Sequence, residues 1–192
     1  MTLEAFRKQR AEEKRANILK SAAAAFMSEG YSGARMEAVA RAADVSTATL
    51  YGYFNSKEAL LASVIEAEMG RFDLSGEIGL KATARAYARL IADPGVRGVI
   101  RLVIAETPRF PELGALLFEH GKAQVYAAFA AAFELEAGAG RLARREDWAV
   151  ATGQITGMIG QPILMTWLLS GREPARDIDA IADAAAAVFL RE

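Results

Sequence analysis

Apolar residues recur at helical spacing along almost the whole chain, and this periodicity limits the possible folds more than any other feature. Near the N-terminus, Ile18, Ala22 and Phe26 follow one another at intervals of four residues. A second stripe of the same kind comprises Leu60, Leu61, Val64, Ile65 and Met69. The sequence contains no convincing alternation of apolar and β-branched residues. It therefore predicts an all-α fold.

Glycine, proline and short polar residues divide this pattern into segments, with Gly30 as the predicted stop of the first helix. We predict helices over residues 11–28, 36–43, 47–54, from 57 onward, 77–92, 96–107, 112–136, 146–170 and 177–191. The helices before residue 69 are mostly short and the later ones are longer. We therefore predict two domains, a small N-terminal domain with an arm over residues 1–69 and a helical bundle over residues 70–192.

Two short predicted helices at residues 36–43 and 47–54 are joined by a three-residue turn, which is typical of a helix-turn-helix. Asp44 falls where such a turn often needs a left-handed backbone, and Ser46 is a suitable N-cap for the second helix. In a helix-turn-helix the second helix lies in the DNA major groove, and its first residues reach base edges. The predicted base-contacting residues are Thr47, Ala48 and Thr49.

The stretch "ILKSAAAAFMSEGYSGARMEAVARAADVSTATLYGYFNSKEALL" has a first helix ending in phenylalanine, then a glycine and an aromatic residue, and finally Leu-Tyr-x-Tyr-Phe-x-x-Lys-Glu. With these features, residues 12–61 resemble the DNA-binding domain of the TetR family of bacterial transcriptional regulators. The resemblance implies base contacts by the same three residues and a core position for Phe54. The residues that it implies as phosphate contacts are Arg35, Ser46, Tyr51, Tyr53 and Lys57. Two departures are Asp44 at a common glycine position and Arg35 where a hydroxyl residue often caps the helix.

The charge distribution leaves two functional hypotheses open. Residues 1–69 carry nine basic and nine acidic side chains, so a DNA footprint must be local, and only the first twenty residues lean positive. Lys57 and the amides at the start of its helix can form an anion site for phosphate, although a solvated lysine is the alternative. The competing hypothesis is a helical ligand carrier or interaction protein whose N-terminal module has lost DNA affinity.

The segment "RLVIAETPRFPELG" resembles the AefR-like subgroup of TetR-family C-terminal domains, over roughly residues 101–170. The resemblance implies a pocket for a small, largely apolar effector and a dimerising bundle. For most of the candidate pocket residues, core packing is the alternative interpretation. These candidates are Leu102, Phe110, Leu113, Leu117, His120, Gln154, Met158, Gln161 and Met165.

Three glycines at positions i, i+4 and i+7 leave one helix face nearly bare, which permits close approach of a second helix. A symmetric homodimer built from the last two helices would use this face, although the glycines could instead leave room for a ligand. The predicted dimer-interface residues are Gly153, Gly157, Gly160, Ile181, Ala185 and Val188.

Other features argue against several classes of protein. The chain has no cysteine and one histidine, so disulfides, a zinc site and a cofactor are not expected, and a reducing cytoplasm fits. His120 could in principle serve a catalytic triad, but no G-x-S-x-G motif accompanies it, and we expect no enzyme. Residues 148–171 are uncharged over a length that could span a bilayer, yet four glycines and several polar residues favour a buried helix. The N-terminus has no signal-peptide pattern, and we expect no membrane partner.

These observations predict a cytoplasmic, DNA-binding transcriptional regulator, and more specifically a repressor. We expect it to bind a palindromic double-stranded DNA operator as a homodimer and to be released by the effector.

Overall fold

The computed structural model describes residues 2–70, 72, 78–143, 147–173 and 177–191. Within these ranges the regular structure is helical, apart from one isolated β-bridge between Leu142 and Leu190. The prediction of an all-α fold is therefore confirmed. None of the helices in these ranges combines the length and apolar character needed to cross a bilayer.

The helices follow the predicted order, with several differences in their ends. They are α1 (Leu3–Gly33), α2 (Met36–Ala42), α3 (Thr47–Tyr53), α4 (Lys57–Met69), α5 (Leu80–Ala92), α6 (Pro94–Glu106), α7 (Glu112–Leu117), α8 (Ala123–Gly138), α9 (Trp148–Gly160), α10 (Thr166–Ser170) and α11 (Ile178–Ala187). Two π-helical segments, Phe118–Lys122 and Gln161–Met165, continue α7 into α8 and α9 into α10.

Contacts between Cα atoms divide the chain into two compact units. The N-terminal unit contains Met1–Glu68 together with Gly98–Leu117, and the C-terminal unit contains Met69–Arg97 together with Phe118–Glu192. The helix α6 therefore begins in the C-terminal unit and ends in the N-terminal unit. The division into separate domains at residues 69 and 70 stays a prediction.

In the N-terminal unit, α1 packs on α2, and α2 packs on α3. The predicted stripe of Ile18, Ala22 and Phe26 is buried, as are the predicted apolar residues of α4 that belong to this unit, Leu60, Leu61, Val64 and Ile65. The helix α1 begins eight residues earlier than predicted, because the side chain of Thr2 accepts a hydrogen bond from the Ala5 amide and caps it. Gly30 has φ of +73° and breaks the helical path at the predicted stop.

In the C-terminal unit, α5 packs against α8, α9 and α11. Its buried face carries Leu80, Ala84, Ala88 and Ile91, which are at most 2% exposed. Two arginines on its other side, Arg85 and Arg89, each make a bidentate ion pair with an aspartate of α11. The C-terminal unit thus has its own apolar core and its own ties between helices.

The predicted long helices at 112–136 and 146–170 run as continuous helical paths, but each contains a π-helical segment that was not predicted. Pro162 has no backbone amide to donate, and the helix widens to π geometry around it. In the other π segment, Gly121 lies so close to Met69 that a Cβ atom would come 2.8 Å from Cγ of that side chain. Residues 77 and 146, where two predicted helices begin, lie outside the described ranges.

Candidate DNA-binding interface

The turn between α2 and α3 has the geometry that the sequence predicted. Asp44 has φ of +54°, in the left-handed region, and its amide donates to the carbonyl oxygen of Arg41. The amide of Val45 donates to the carbonyl oxygen of Ala40 at 3.0 Å, which closes the turn. Ala40 is buried, as expected where the two helices cross. These bonds hold the start of α3 close to the end of α2.

Ser46 caps α3, as predicted. Its hydroxyl accepts a hydrogen bond from the Thr49 amide at 3.0 Å, and the two hydroxyl oxygens lie 2.8 Å apart. The Thr49 hydroxyl is therefore already paired with Ser46. A base contact by Thr49 would have to share or replace this bond.

Leu50 and Phe54 anchor the helix to the core of the N-terminal unit. They are 0% and 3% exposed, and the Phe54 amide donates to the carbonyl oxygen of Leu50. Because α3 has 3.6 residues per turn, residues on its other side face outward. Ala48 is exposed, Thr47 is half-buried, and the side chain of Tyr51 keeps 47% of its surface. The helix thus presents a small polar and aromatic surface to solvent.

The predicted phosphate contacts differ in how free their side chains are. Arg35 is exposed at the start of α2 and makes no capping hydrogen bond there. Tyr53 is half-buried, and its hydroxyl donates to the carbonyl oxygen of Ala11 in α1 at 3.4 Å. Ser46 is exposed but occupied as a cap, whereas Tyr51 projects outward. All four stay predictions as DNA contacts.

Lys57 has partners within the N-terminal unit. Its Nζ donates to the carbonyl oxygen of Ser32 at 3.2 Å and lies 4.8 Å from the ring centroid of Tyr31. Burial lowers the pKa of Lys57 below its ordinary value, against the opposing effect of nearby glutamates. A phosphate contact by Lys57, which stays a prediction, would have to compete with the end of α1 for the same ammonium group.

The predicted effector residues fall in both units. Those in the N-terminal unit are Leu102, Phe110, Leu113 and Leu117, and those in the C-terminal unit are His120, Gln154, Met158, Gln161 and Met165. Leu113 is fully buried and Leu102 nearly so, which fits the alternative of core packing for these two. Gln154, Met158, Gln161 and Met165 share an exposed surface of α9 and the π segment that follows it. Their role in effector binding stays a prediction.

A cavity of about 80 Å³ lies in the C-terminal unit, where Trp148 meets Phe133, Val188 and Phe189. Gln154 also lines it, the one predicted effector residue to do so. Sites for small organic ligands typically enclose roughly 300 to 1,000 Å³. This cavity is therefore too small in its present form for such a ligand.

The predicted dimer-interface residues occupy different surroundings. A Cβ atom on Gly153 or Gly157 would have no neighbour within 4 Å, so this face of α9 is bare in the single chain. Val188 is 58% exposed and Ile181 is half-buried, whereas Ala185 packs inside its own chain. On Gly160, a Cβ atom would lie 3.8 Å from the hydroxyl oxygen of another side chain in the same unit. All six residues stay predictions as interface positions.

Two models of protein domains match the chain. One describes bacterial regulatory proteins of the tetR family and matches residues 18–64, which include α2 and α3. The other describes the C-terminal domain of AefR-like transcriptional repressors and matches residues 79–192, which is more than half of the chain. The chain belongs to the TetR family. The predicted family, its AefR-like subgroup and the choice of a regulator over an enzyme are thus confirmed.

Individual proteins of the TetR family show similarity of different extents. The HTH-type transcriptional repressor NicS of Pseudomonas putida is 34% identical over 114 residues, which cover 58% of this chain and 50% of NicS. The HTH-type transcriptional repressor KstR of Mycolicibacterium smegmatis is 40% identical over 78 residues, which cover 41% of this chain and 38% of KstR. The chain thus matches half or less of the length of these two relatives.

Among solved structures, the flavonoid-responsive regulator FrrA superimposes with a TM-score of 0.74 at 27% sequence identity. The superposition covers 92% of this chain and 95% of the FrrA chain. The TetR-family fold therefore extends over nearly the whole chain, beyond the helix-turn-helix alone.

Proposed function

We propose that this TetR-family protein is a homodimeric, cytoplasmic repressor that binds a palindromic DNA operator through α3 and is released by a small, largely apolar effector. One observation carries the DNA-binding part. The helix α3 is capped by Ser46 and anchored by Leu50 and Phe54, so that Ala48 and Tyr51 face outward from a fixed support and Thr47 is partly exposed beside them. NicS and KstR, to which parts of the chain are similar, are described as repressors.

The exposed apolar side of the C-terminal unit supports the dimer. Beside the bare glycines of α9, the side chains of Val150, Met158 and Leu169 are 55%, 37% and 81% exposed. An exposed apolar surface with glycines that permit close approach suits a symmetric contact with a second copy. In such a dimer, the two α3 helices would enter successive major grooves with their centres about 34 to 36 Å apart, or a multiple of that distance.

The effector part of the proposal is drawn from the family. FrrA is described as responsive to flavonoids, which are small aromatic molecules. An effector could release operator DNA only if it bound the DNA-incompetent state of this protein more tightly than the competent one. The pocket would have to be larger than the cavity beside Trp148, and the predicted residues on α9 are candidates for its lining.

Selection of operators from random double-stranded DNA, followed by fluorescence anisotropy of the selected sequence, tests the proposal. We expect a selected sequence with two inverted half-sites and saturable binding in about 150 mM salt. A control DNA with the same composition but scrambled half-sites should bind at least about 1,000-fold more weakly. If no sequence binds saturably at this salt, the DNA-binding proposal is wrong, and the ligand-carrier hypothesis becomes the better account.

A further inference from the structure

Tyr31 lies where three parts of the N-terminal unit meet. Its ring is buried, at 3% exposure, and makes an edge contact with Phe110 at 5.0 Å between centroids. Its hydroxyl donates to the Glu58 carboxylate at 2.8 Å, and its amide donates to the Glu106 carboxylate at 2.9 Å. With Lys57 over the ring, these five residues form what we call the Tyr31 cluster.

The bond between Glu106 and the Tyr31 amide occupies a site that the backbone leaves open for it. Gly30, immediately before Tyr31, has φ of +73°, and this break in α1 leaves the Tyr31 amide to a partner from outside the helix. A Cβ atom on Gly30 would lie 2.7 Å from Oε1 of Glu106. The left-handed backbone and the close approach of the carboxylate therefore both require glycine at this position.

On its other side, the Tyr31 cluster reaches the beginning of α4. Lys57 and Glu58 are the first two residues of that helix, and Ser56 caps it through a bond from the Ala59 amide. Only residues 54–56 separate α4 from the DNA-reading helix α3. Burial and the Glu58 carboxylate raise the pKa of Tyr31, so its hydroxyl stays protonated and keeps donating.

Glu106 is itself held in place at the end of α6. Its carbonyl oxygen accepts hydrogen bonds from the amides of Arg109 and Phe110, at 3.0 and 2.8 Å. Phe110 therefore turns back toward Tyr31 together with the carboxylate. At the other end of α6, in the C-terminal unit, the side chain of Asp93 accepts from the amides of Gly95 and Val96.

We propose that Glu106 is a positioning residue for operator binding, which ties the end of α6 to the start of α4 through Tyr31 and so sets the placement of α3. This inference rests on the proposed function, because it names a route by which α6 influences DNA binding. By linkage, DNA bound at α3 must in turn stabilise the end of α6, whatever the effector is. The test therefore needs operator DNA but no effector.

Three variants separate positioning from simple stabilisation. Glu106→Ala removes the acceptor for the Tyr31 amide, whereas Glu106→Gln keeps an acceptor oxygen and loses only the charge. Glu29→Gln is the matched control. Glu29 is exposed one residue before Gly30, and its substitution removes a nearby negative charge while the bond from the Tyr31 amide to Glu106 stays in place. Melting temperatures of all the proteins show how far each change affects folding alone.

The readout is hydrogen–deuterium exchange with and without the selected operator. We expect the operator to slow amide exchange at residues 36–53 and at residues 103–110 in three proteins: the wild type, the Glu106→Gln variant and the Glu29→Gln variant. In Glu106→Ala, we expect slowed exchange at residues 36–53 only, together with about tenfold weaker operator binding.

If Glu106→Ala lowers the melting temperature but keeps the operator-dependent slowing at residues 103–110, Glu106 is only structural and the inference is overturned. If the wild type itself shows no saturable operator binding, the proposed function fails and this inference fails with it. The two failures are distinguishable, because the first is seen in a protein that binds DNA and the second is not.

Discussion

Ala48 and Leu50 lie on opposite sides of α3, and Thr47 is partly exposed at its first position, so residues of one short helix have separate tasks. The buried Leu50 fixes the helix, while Thr47 and Ala48 reach solvent near its N-terminus, where base edges would be met. Tyr51, one turn further along, has a hydroxyl that suits the phosphate backbone. Contacts to phosphates set affinity for every sequence, whereas contacts to bases set preference.

Substitutions on the outer side of α3 should separate these two tasks. Tyr51→Ala should weaken binding to all sequences by a similar factor, by about 1 kcal/mol, because a phosphate contact carries no sequence information. Thr47→Val should instead change the ranking of half-sites, by roughly 1 to 3 kcal/mol at one base pair. Anisotropy titrations against the selected operator and its single-base variants measure both effects. A uniform loss for Thr47→Val across all half-sites would contradict this division.

Residues whose roles are local were predictable from the sequence. Ser46 caps a helix that begins at the next residue, and Asp44 adopts a backbone conformation that its own side chain tolerates. Lys57 was not predictable in the same way. Its partners are Ser32, 25 positions earlier, and the ring of Tyr31. No local sequence pattern predicts either contact. The contact of Glu106 with Tyr31 spans 75 positions and has no signal in a single sequence.

Between helices, a carboxylate on α8 caps the start of α5. Oε1 of Glu136, near the end of α8, accepts from the Leu80 amide at the start of α5, and Oε2 accepts from Arg141. Gly79 lies at the cap position of α5 with φ of +115° and offers no side chain for capping. Burial alone would raise the pKa of Glu136, but the bonds from Arg141 and the Leu80 amide lower it below its ordinary value.

Removing the charge of Glu136 should therefore destabilise the protein in a pH-dependent way. Because the folded pKa lies below the unfolded one, the carboxylate stabilises the fold above the unfolded pKa and loses this effect as pH falls through the folded pKa. We expect Glu136→Gln to lower the free energy of unfolding at pH 7 by about 1 to 3 kcal/mol. The difference from wild type should shrink as the pH falls through the folded pKa, which lies below the ordinary value of a glutamate.

Urea denaturation at several pH values measures this difference. The matched control is Glu134→Gln, because Glu134 is exposed on the same helix two residues earlier and should cost less than about 0.5 kcal/mol. A difference between Glu136→Gln and wild type that stayed constant from pH 7 to pH 3 would refute the capping role of the carboxylate.

The existence of most helices followed from apolar periodicity, but the π-helical segments within two of them did not. Pro162 was expected to disturb its helix, yet the π geometry at residues 161–165 depends on how neighbouring turns share the carbonyl groups that proline leaves unpaired. At Gly121, the irregularity accompanies a tertiary contact with Met69. Such features depend on contacts between elements, which periodicity within one element cannot report.

In the molecule as a whole, the sequence predicted two regions, but it did not predict that a later segment of the chain belongs to the N-terminal unit. Residues 98–117 belong to the same compact unit as the helix-turn-helix of α2 and α3, although they follow α5 in the sequence. The exposed first turns of α1 carry Arg7, Lys8, Arg10 and Lys14, the local positive charge to which the near-neutral composition pointed. A local cationic surface and a bare apolar surface suit binding of DNA by two copies of one chain.

Titration of a palindromic operator and of its single half-site tests whether two copies of the chain bind the operator together. Two variants accompany the wild type. Gly157→Arg places a charge on the bare face of α9, and Gly138→Arg, the matched control, adds the same side chain at the end of α8, where a Cβ atom also meets nothing within 4 Å. Anisotropy gives the affinity, and sedimentation of the complexes gives the number of chains bound.

We expect the wild type and Gly138→Arg to bind the palindrome as two chains, at least about 100-fold more tightly than the half-site, since linked half-sites act at high effective concentration. Gly157→Arg should remain folded, sediment as a monomer, and bind the palindrome no more tightly than the half-site. If the wild type instead binds palindrome and half-site equally well, or binds as a single chain, the homodimeric operator-binding account is contradicted.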